Sequence, residues 1–477
     1  MAKKKTASET LPQDDHMPEQ EKNRIRSLVD AQKNYFKTGE TKSIKHRKQA
    51  LKSLYSVIKH HESEIYDALK ADLGKPEFET YTTELGFVLH EITYQRKHLK
   101  KWSKPKKAAG SFISYPAKAK IIPEPFGSVL IMSPWNYPFL LSLQPLVTAI
   151  AAGNTAIIKT SEYSPSTSAI LETIIQESFD PNFVALVKGG FLTNQLLMNE
   201  TFDFIFFTGS PAVGKAVMES AAKTLTPVCL ELGGKSPCIV EESANLPIAS
   251  RRIVWGKLLN AGQTCVAPDY ILVHESLKKD LLHQLADEIA LQYGDNPLEN
   301  PEYPKIINMK HFCRIYALAP TAQVDTASNK IAPTILDLGD IHGEQALTHP
   351  CMREEIFGPI FPIISYKDLD EVIEFVSSRP SPLALYLFSQ NKRVQKKILN
   401  TLRFGGGCVN DVIMHLSSSE LPFGGIGQSG MGHYHGKYGF DTFTHLKSVL
   451  LQSPKTDMKY RYAPHKNNLK LVKKVLK

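Results

Sequence analysis

The residues best suited to covalent chemistry lie in three short segments. Cys265 stands in Asn-Ala-Gly-Gln-Thr-Cys-Val, just after a helical stretch that begins near Ala249. A lone cysteine is ordinarily a small core residue. Here Ala261, Gly262, Gln263 and Thr264 leave room near the sulfur for a substrate and for backbone N–H groups. That is the access and dipolar setting a thiolate nucleophile needs. Glu231 lies in Leu-Glu-Leu-Gly-Gly-Lys, at the end of a strand otherwise made of Val228, Cys229, Leu230 and Leu232. A carboxyl flanked by leucines is poorly placed for solvation, and burial would lift its pKa toward that of a general base. The alternative is a salt bridge to Lys235. Asn136, in Ser-Pro-Trp-Asn-Tyr-Pro-Phe, could donate its amide to an oxyanion or merely cap the helix that follows.

Two patterns lead nowhere. Gly425-Ile-Gly427-Gln-Ser-Gly430 spells GxGxxG, but no convincing strand precedes it, no helix follows at once, and the acidic residue expected about twenty positions on is missing. These glycines fit a loop that approaches something closely or takes positive φ. Asn199-Glu-Thr201 is a glycosylation sequon by pattern alone. The cysteines at 229, 238, 265, 313, 351 and 408 form no CxxC pair, so a structural metal is not expected. Their sparseness suits reduced thiols in a cytoplasm.

The elements that must position these residues are legible. Ile25, Leu28, Val29 and Phe36 recur at helical spacing before Gly39, and Ser43 can cap a next helix lined by Leu51, Leu54, Tyr55 and Ile58. Residues 112–127, with prolines at 116, 123 and 125, have the composition of a hairpin or edge strand. From 128 to 234, apolar runs alternate with helical patterns: Ser128–Ser133, a helix near 139–152, Thr155–Lys159, a helix opened by Ser164-Pro165, Phe183–Lys188, Phe202–Phe207, a helix after Pro211, then Pro227–Leu232. Such alternation predicts a doubly wound parallel sheet, with ligands at the carboxyl ends of its strands. A second α/β segment runs to about 424. Residues 438–452 are strand-like again, and the chain ends in a basic tail with Leu469, Val472, Val475 and Leu476 on one helix face.

Length and composition bound the function. A chain of 477 residues suggests several domains, and 42% hydrophobic with 22% charged residues is ordinary globular usage. Lys+Arg exceed Asp+Glu by 57 to 48, a net +9, which leaves nucleic acid or an acidic membrane surface open. Much of that excess sits in Lys3–Lys5, Lys100–Lys107 and Lys470–Lys477, runs that are usually solvated. The polar N-terminus (1–17) reads as disordered and lacks the apolar core of a signal peptide. Phe139–Ala152 is too short to span a bilayer.

The motifs PWNYPF (134–139), IIKTSE (157–162), FTGS (207–210), LELGGKSP (230–237), GQTC (262–265), EEIFGP (354–359) and PFGGIGQSG (422–430) stand in an order and spacing that resemble the aldehyde dehydrogenase superfamily, over about residues 20–450. FTGSPAVGK, AGQTCVAPDY and LPFGGIGQSGMGHYHGKYGFDTFTH are most similar to its class 3 branch. Departures are mild: KTSE where KPSE is commoner, and Leu258-Leu259 ahead of the cysteine motif.

The resemblance implies an aldehyde dehydrogenase-like α/β fold: a Rossmann-type dinucleotide-binding domain (18–111 and 128–231), a catalytic domain (232–437), a bridging element (112–127 and 438–455) and a basic tail (456–477). It implies Cys265 as nucleophile, Glu231 as general base and Asn136 as oxyanion donor beside the backbone N–H of Cys265. Lys159 and Glu162 would meet the adenosine ribose, Gly209, Ser210 and Gly214 would form a shortened phosphate turn, and Trp135, Glu355 and Phe357 would lie on the nicotinamide side. The expected cofactor is NAD, with NADP less preferred. The expected substrates are medium- to long-chain aliphatic or aromatic aldehydes, and the expected assembly is a cytoplasmic homodimer without nucleic acid, with contact between the basic C-terminal tail and a membrane surface left open. Two rivals are a CoA-acylating enzyme of related fold, against which Glu231 argues, and a catalytically silent structural or nucleic-acid-binding protein.

Overall fold

The computed structural model describes residues 19–110, 114–457, 462–465 and 468–475. The expected disorder of 1–17 lies outside these, as do Phe112, Ile113 and Leu476. The chain opens with helices α1 (Glu19–Lys37), α2 (Ile44–His60) and α3 (Glu62–Leu73). Ser43 caps α2 as expected, its hydroxyl accepting from His46 N at 3.3 Å. Helix α4 (Glu77–Thr80) continues through a π turn, Tyr81–Leu85, into α5 (Gly86–Trp102). Strands β1 (Lys106–Ala108) and β2 (Lys118–Pro125) follow.

The alternating segment folds as its pattern predicts. Strands β3 (Ser128–Met132), β4 (Thr155–Lys159), β5 (Val184–Val187), β6 (Phe204–Gly209) and β7 (Val228–Leu232) are separated by α6 (Leu140–Ala152), α7 (Pro165–Ser178), α8 (Phe191–Asn199) and α9 (Pro211–Ala222). Pro165 is the first residue of α7, where its missing N–H removes nothing. β3 and β4 are buried along their whole length, as strands covered by helices on both faces must be.

The second segment contains β8 (Pro237–Val240), α10 (Leu246–Leu258), β9 (Tyr270–His274), α11 (Lys278–Tyr293) and α12 (Met309–Tyr316). A small ribbon, β10 (Val324–Asp325) with β11 (Lys330–Ile331), precedes β12 (Thr334–Asp340), α13 (Glu344–Thr348) and β13 (Ile360–Tyr366). Then come α14 (Leu369–Ser377), β14 (Ala384–Phe388), α15 (Lys392–Thr401) and β15 (Gly406–Val409). The chain closes with β16 (Gly430–Met431), α16 (Gly436–Thr442), β17 (Thr444–Leu451) and α17 (Leu469–Val475).

Two six-stranded sheets result. The first has the order β16-β7-β6-β3-β4-β5, parallel except for β16. The second, β12-β13-β9-β8-β14-β15, is parallel throughout. In the first sheet the chain winds outward from β3 through β4 to β5, then resumes at β6 on the other side. The crevice between the carboxyl ends of β3 and β6 is therefore the switch point at which open α/β sheets take ligands.

The third sheet, β1-β2-β17, is antiparallel and corrects two boundaries. Its outer strand β1 lies in the basic run Lys100–Lys107, which composition marks only as solvated. Pro123 and Pro125 pair with β17 alone, beyond the end of β1, in keeping with prolines at a sheet edge. The strand expected over 438–452 starts at Thr444, because Gly436–Thr442 is helical. Among the described residues no helix is long and apolar enough to cross a membrane.

Candidate active site

Three loops meet at one end of the second sheet. Gly233–Ser236 leads into β8, residues 263–269 lead into β9, and 354–359 lead into β13, and these strands are parallel neighbours. The loops interlock through glycines. A Cβ at Gly233 would collide with the carboxylate of Glu355, and one at Gly262, which has φ +78°, would collide with the carbonyl of Gly358. Lys235 staples the 354–359 loop from below. It pairs with Asp269 and donates to the carbonyls of Cys351 (2.7 Å) and Glu354 (3.1 Å), while Asp269 accepts from Ile356 N at 2.9 Å. The alternative partner for Glu231 is thereby removed.

Cys265 is half-buried at the centre of these loops. The chain reaches it from α10 through Asn260 and Ala261, both at φ 52°, a conformation non-glycine residues adopt only when the surroundings hold them there. Burial pushes the thiol up, the carboxylates of Glu355 and Glu231 push it further, and the N–H groups of Cys265 and Val266 pull it down. Those two N–H groups thus face the sulfur.

Glu231 is 3% exposed, and burial raises its carboxyl well above the ordinary range. The Cys229 thiol donates to Oε1 at 3.9 Å, whereas Oε2 has no partner. A buried polar oxygen left unpaired costs about 1–3 kcal/mol.

Asn136 does not cap α6. Its amide nitrogen donates to the carbonyl of Gln263 at 3.0 Å, two residues before the cysteine, which fixes the amide and leaves its second N–H for another acceptor. Gln263 is fixed in turn by Asn260 O, Lys305 O and Ile307 N. The structure therefore brings Cys265 within electrostatic reach of Glu231 and ties Asn136 to the loop that carries the cysteine.

The residues assigned to a dinucleotide lie at the carboxyl ends of β3, β4 and β6 and on the loop before β13. Lys159 ends β4, is 3% exposed and pairs with the exposed Glu162 at 3.3 Å. Burial lowers its ammonium pKa, and Glu162 partly restores it. Gly209 ends β6 and Ser210 follows it, and the Ser210 hydroxyl accepts from Val213 N at 3.4 Å as the N-cap of α9. A Cβ at Gly214 would collide with Leu232, so α9 seats directly on the sheet. Thr208 Oγ1 is buried there without a partner. Trp135 and Phe357 meet edge to face at 5.4 Å, with Phe357 at φ 50°. Burial pushes Glu355 up to about 8, opposed by the N–H of Gly234. A buried unpartnered hydroxyl, a Lys–Glu pair and an aromatic contact are polar and apolar groups of the kinds a nicotinamide dinucleotide engages.

Sequence reasoning missed two residues of this pocket. His311 on α12 contacts Trp135 at 4.8 Å and Tyr163 at 6.1 Å, and its Nδ1 is buried without a partner. Tyr434 is 1% exposed, and its phenol is held up by burial first, then by Glu231, Cys265 and Cys229. Neither has a local signal, since long-range pairing brings each to the site. Tyr434 arrives through a bridge to Phe423.

Aromatic side chains form a wall beside the cysteine loop. The Tyr386 hydroxyl donates to Val266 O at 2.5 Å, His415 lies 6.1 Å from Tyr386, and Phe423 stacks on His435 at 5.3 Å. Burial lowers His415 to about 4 and His435 to about 3, so both are neutral at pH 7.

Comparison with known proteins agrees with this geometry. The model of the aldehyde dehydrogenase family matches residues 13–449. A 4,4'-diaponeurosporen-aldehyde dehydrogenase of Staphylococcus aureus is 48% identical over 453 residues, 93% of this chain and 97% of its own. Aldehyde dehydrogenase family 3 member A2 of Mus musculus is 44% identical over 438 residues, 90% of this chain and 89% of its own. The solved substrate-bound state of Staphylococcus aureus AldH superposes with a TM-score of 0.92 at 46% identity, covering 95% of this chain and 99% of that one. Similar proteins include one from Canis lupus familiaris named NADP-preferring and one from Sinorhizobium meliloti named NAD-dependent, so similarity leaves the choice of cofactor open.

Proposed function

The chain belongs to the aldehyde dehydrogenase family and oxidises aldehydes to carboxylic acids with NAD(P), and from that premise we propose that Cys265, Glu231 and Asn136 carry the reaction. The observation that supports this most is a buried carboxylate with one unpartnered oxygen beside a thiol whose ionisation it perturbs. The Cys265 thiolate attacks the aldehyde carbon, and the oxyanion is held by the free N–H of Asn136 and the backbone N–H of Cys265. One such donor contributes roughly 3–4 kcal/mol. The dinucleotide, when bound, supplies the acceptor for the aldehyde's hydride. The acyl group then rests on Cys265 as a thioester, and Glu231 takes a proton from the water that cleaves it.

The dinucleotide would be held by Lys159 and Glu162 at the adenosine ribose, by the Gly209, Ser210 and Gly214 turn at the phosphates, and by Trp135, Glu355 and Phe357 on the nicotinamide side. A carboxylate at Glu162 accepts from a 2′-hydroxyl and repels a 2′-phosphate, whereas Lys159 can pair with either. NAD is therefore the preferred cofactor, with NADP used at higher concentration. Glu162→Gln is expected to narrow the ratio of kcat/KM values for NAD and NADP about threefold to tenfold, mainly through the NADP KM, given that each 1.4 kcal/mol is tenfold. An unchanged ratio, or a wild type that favours NADP, refutes the ribose role.

The neutral aromatic wall supports medium- to long-chain aliphatic or aromatic aldehydes, because a charged or strongly hydrated substrate would have no partner there. NADH formation across short, long and aromatic aldehydes tests this. Highest kcat/KM for a short hydrophilic aldehyde overturns it. The division into a dinucleotide-binding unit (18–111 and 128–231), a catalytic unit (232–437) and a bridging sheet (112–127 and 438–455) is proposed on the same basis. Leu446, Leu450 and Leu451 are exposed on the bridging sheet, which supports a homodimer built through it. Light scattering at micromolar concentration should give twice the 53.3 kDa chain mass, and a monomer refutes the assembly.

A further inference from the structure

We propose that the buried ion pair between Lys75 and Glu84 is a positioning device for the Asn136 amide. The proposal rests on the reading of Asn136 as oxyanion donor. Both side chains are 0% exposed and meet at 2.5 Å. Lys75 Nζ also donates to the carbonyl of Asn136 at 3.2 Å and lies 3.8 Å from the centre of the Tyr137 ring. The same carbonyl accepts from Asn260 Nδ2 at 2.7 Å. The second oxygen of Glu84 accepts from the N–H groups of Phe139 (2.9 Å) and Leu140 (3.1 Å), two of the unpaired donors at the start of α6. Tyr137 is tied by its hydroxyl to Thr264 Oγ1 at 2.6 Å, next to the cysteine.

The loop that carries Asn136 is thus gripped on both sides by one ion pair. Lys75 sets the height of residue 136, and Glu84 sets where α6 begins. Glu84 itself sits in the π turn Tyr81–Leu85. One extra residue per turn rotates a helical side chain by about 100°, so an unbroken α-helix would aim Glu84 away from α6.

Stability alone does not account for the pair. Burying both charges carries a desolvation penalty, and apolar residues of similar volume often serve a fold equally well. What apolar residues cannot do is hold the Asn136 carbonyl and two amides in register. A shift of about 1 Å at a group that must meet a transition state can cost up to 100-fold.

The test is a double-mutant cycle. Lys75→Met with Glu84→Met, made together, should stay folded and bind NAD with unchanged Kd, yet lose kcat/KM for aldehyde by ~10-fold or more. In an Asn136→Ala background the same two changes should cost less than about twofold, because the amide they position is gone. Additive losses overturn the proposal, as does full activity of the folded double variant. Should that variant not fold, Glu84→Gln, which keeps an acceptor for the α6 amides, is judged by the same cycle. If Asn136→Ala alone leaves kcat/KM unchanged, it is the oxyanion assignment that fails.

Discussion

Cys265→Ser is expected to reduce aldehyde-dependent NADH formation by at least ~10³-fold, with dinucleotide affinity changed less than about twofold. Serine is nearly isosteric, so the pocket keeps its shape. What changes is the acidity of the nucleophile. Burial and the nearby carboxylates of Glu355 and Glu231 already push the thiol up, and the same surroundings acting on a far weaker acid leave no usable alkoxide. The direction of the shift also sets a pH dependence. A nucleophile whose pKa is raised gains thiolate as pH rises, so the acylation rate of the wild type should climb through and beyond neutrality. Absorbance at 340 nm and calorimetric titration with NAD read the two quantities. Retained turnover in the serine variant would remove Cys265 from the reaction and with it the proposed route through a thioester.

The parts of the fold that were legible in the sequence are those whose determinants are local. Strand–helix alternation over 128–232 is a matter of apolar runs and of breakers such as Pro165 and Pro211, and each element lies close to where its pattern puts it. The partners of polar side chains were not legible, because they come from far along the chain. Lys235 pairs with Asp269 rather than with Glu231. Asn136 is free of capping duty because Glu84, more than fifty residues upstream, accepts the α6 amides instead. The helix at Gly436–Thr442 also depends on distant support: Gln95 donates to Gly436 O at 2.7 Å, and Glu91 accepts from Gly436 N at 3.2 Å. Glycine and threonine in that stretch weaken any local helical signal.

The same distinction explains why these three residues stand out in the sequence and their surroundings do not. Cys265, Glu231 and Asn136 each carry a local oddity: a thiol among small residues, an acid among leucines, an amide after a strand. Tyr434 and His311 carry none. An aromatic residue in a loop is ordinary until the fold places it against a buried carboxylate or an indole. Gly262 reads only as a small residue that leaves room near the sulfur, yet it also lets the Gly358 segment close over it, as Gly233 does for Glu355.

Glu231→Gln is expected to lower steady-state kcat by ~10²-fold while leaving hydride transfer within the first turnover nearly intact. Glutamine fills the same space and can still accept from the Cys229 thiol, so the pocket should not collapse. It cannot take a proton. Acylation would proceed, thioester would accumulate, and a burst of about one NADH per active site should precede the slow phase. The sign of the pH dependence follows from the raised carboxyl. A base acts only when deprotonated, so thioester hydrolysis in the wild type should speed up as pH rises through the elevated pKa of Glu231, and the variant should lose that limb. Hydroxylamine, which attacks thioesters without a general base, should restore part of the turnover of the variant and little of the wild type's. Stopped-flow fluorescence of NADH measures the burst. Loss of the burst together with kcat would place Glu231 before hydride transfer, as the base that ionises Cys265 rather than the one that activates water.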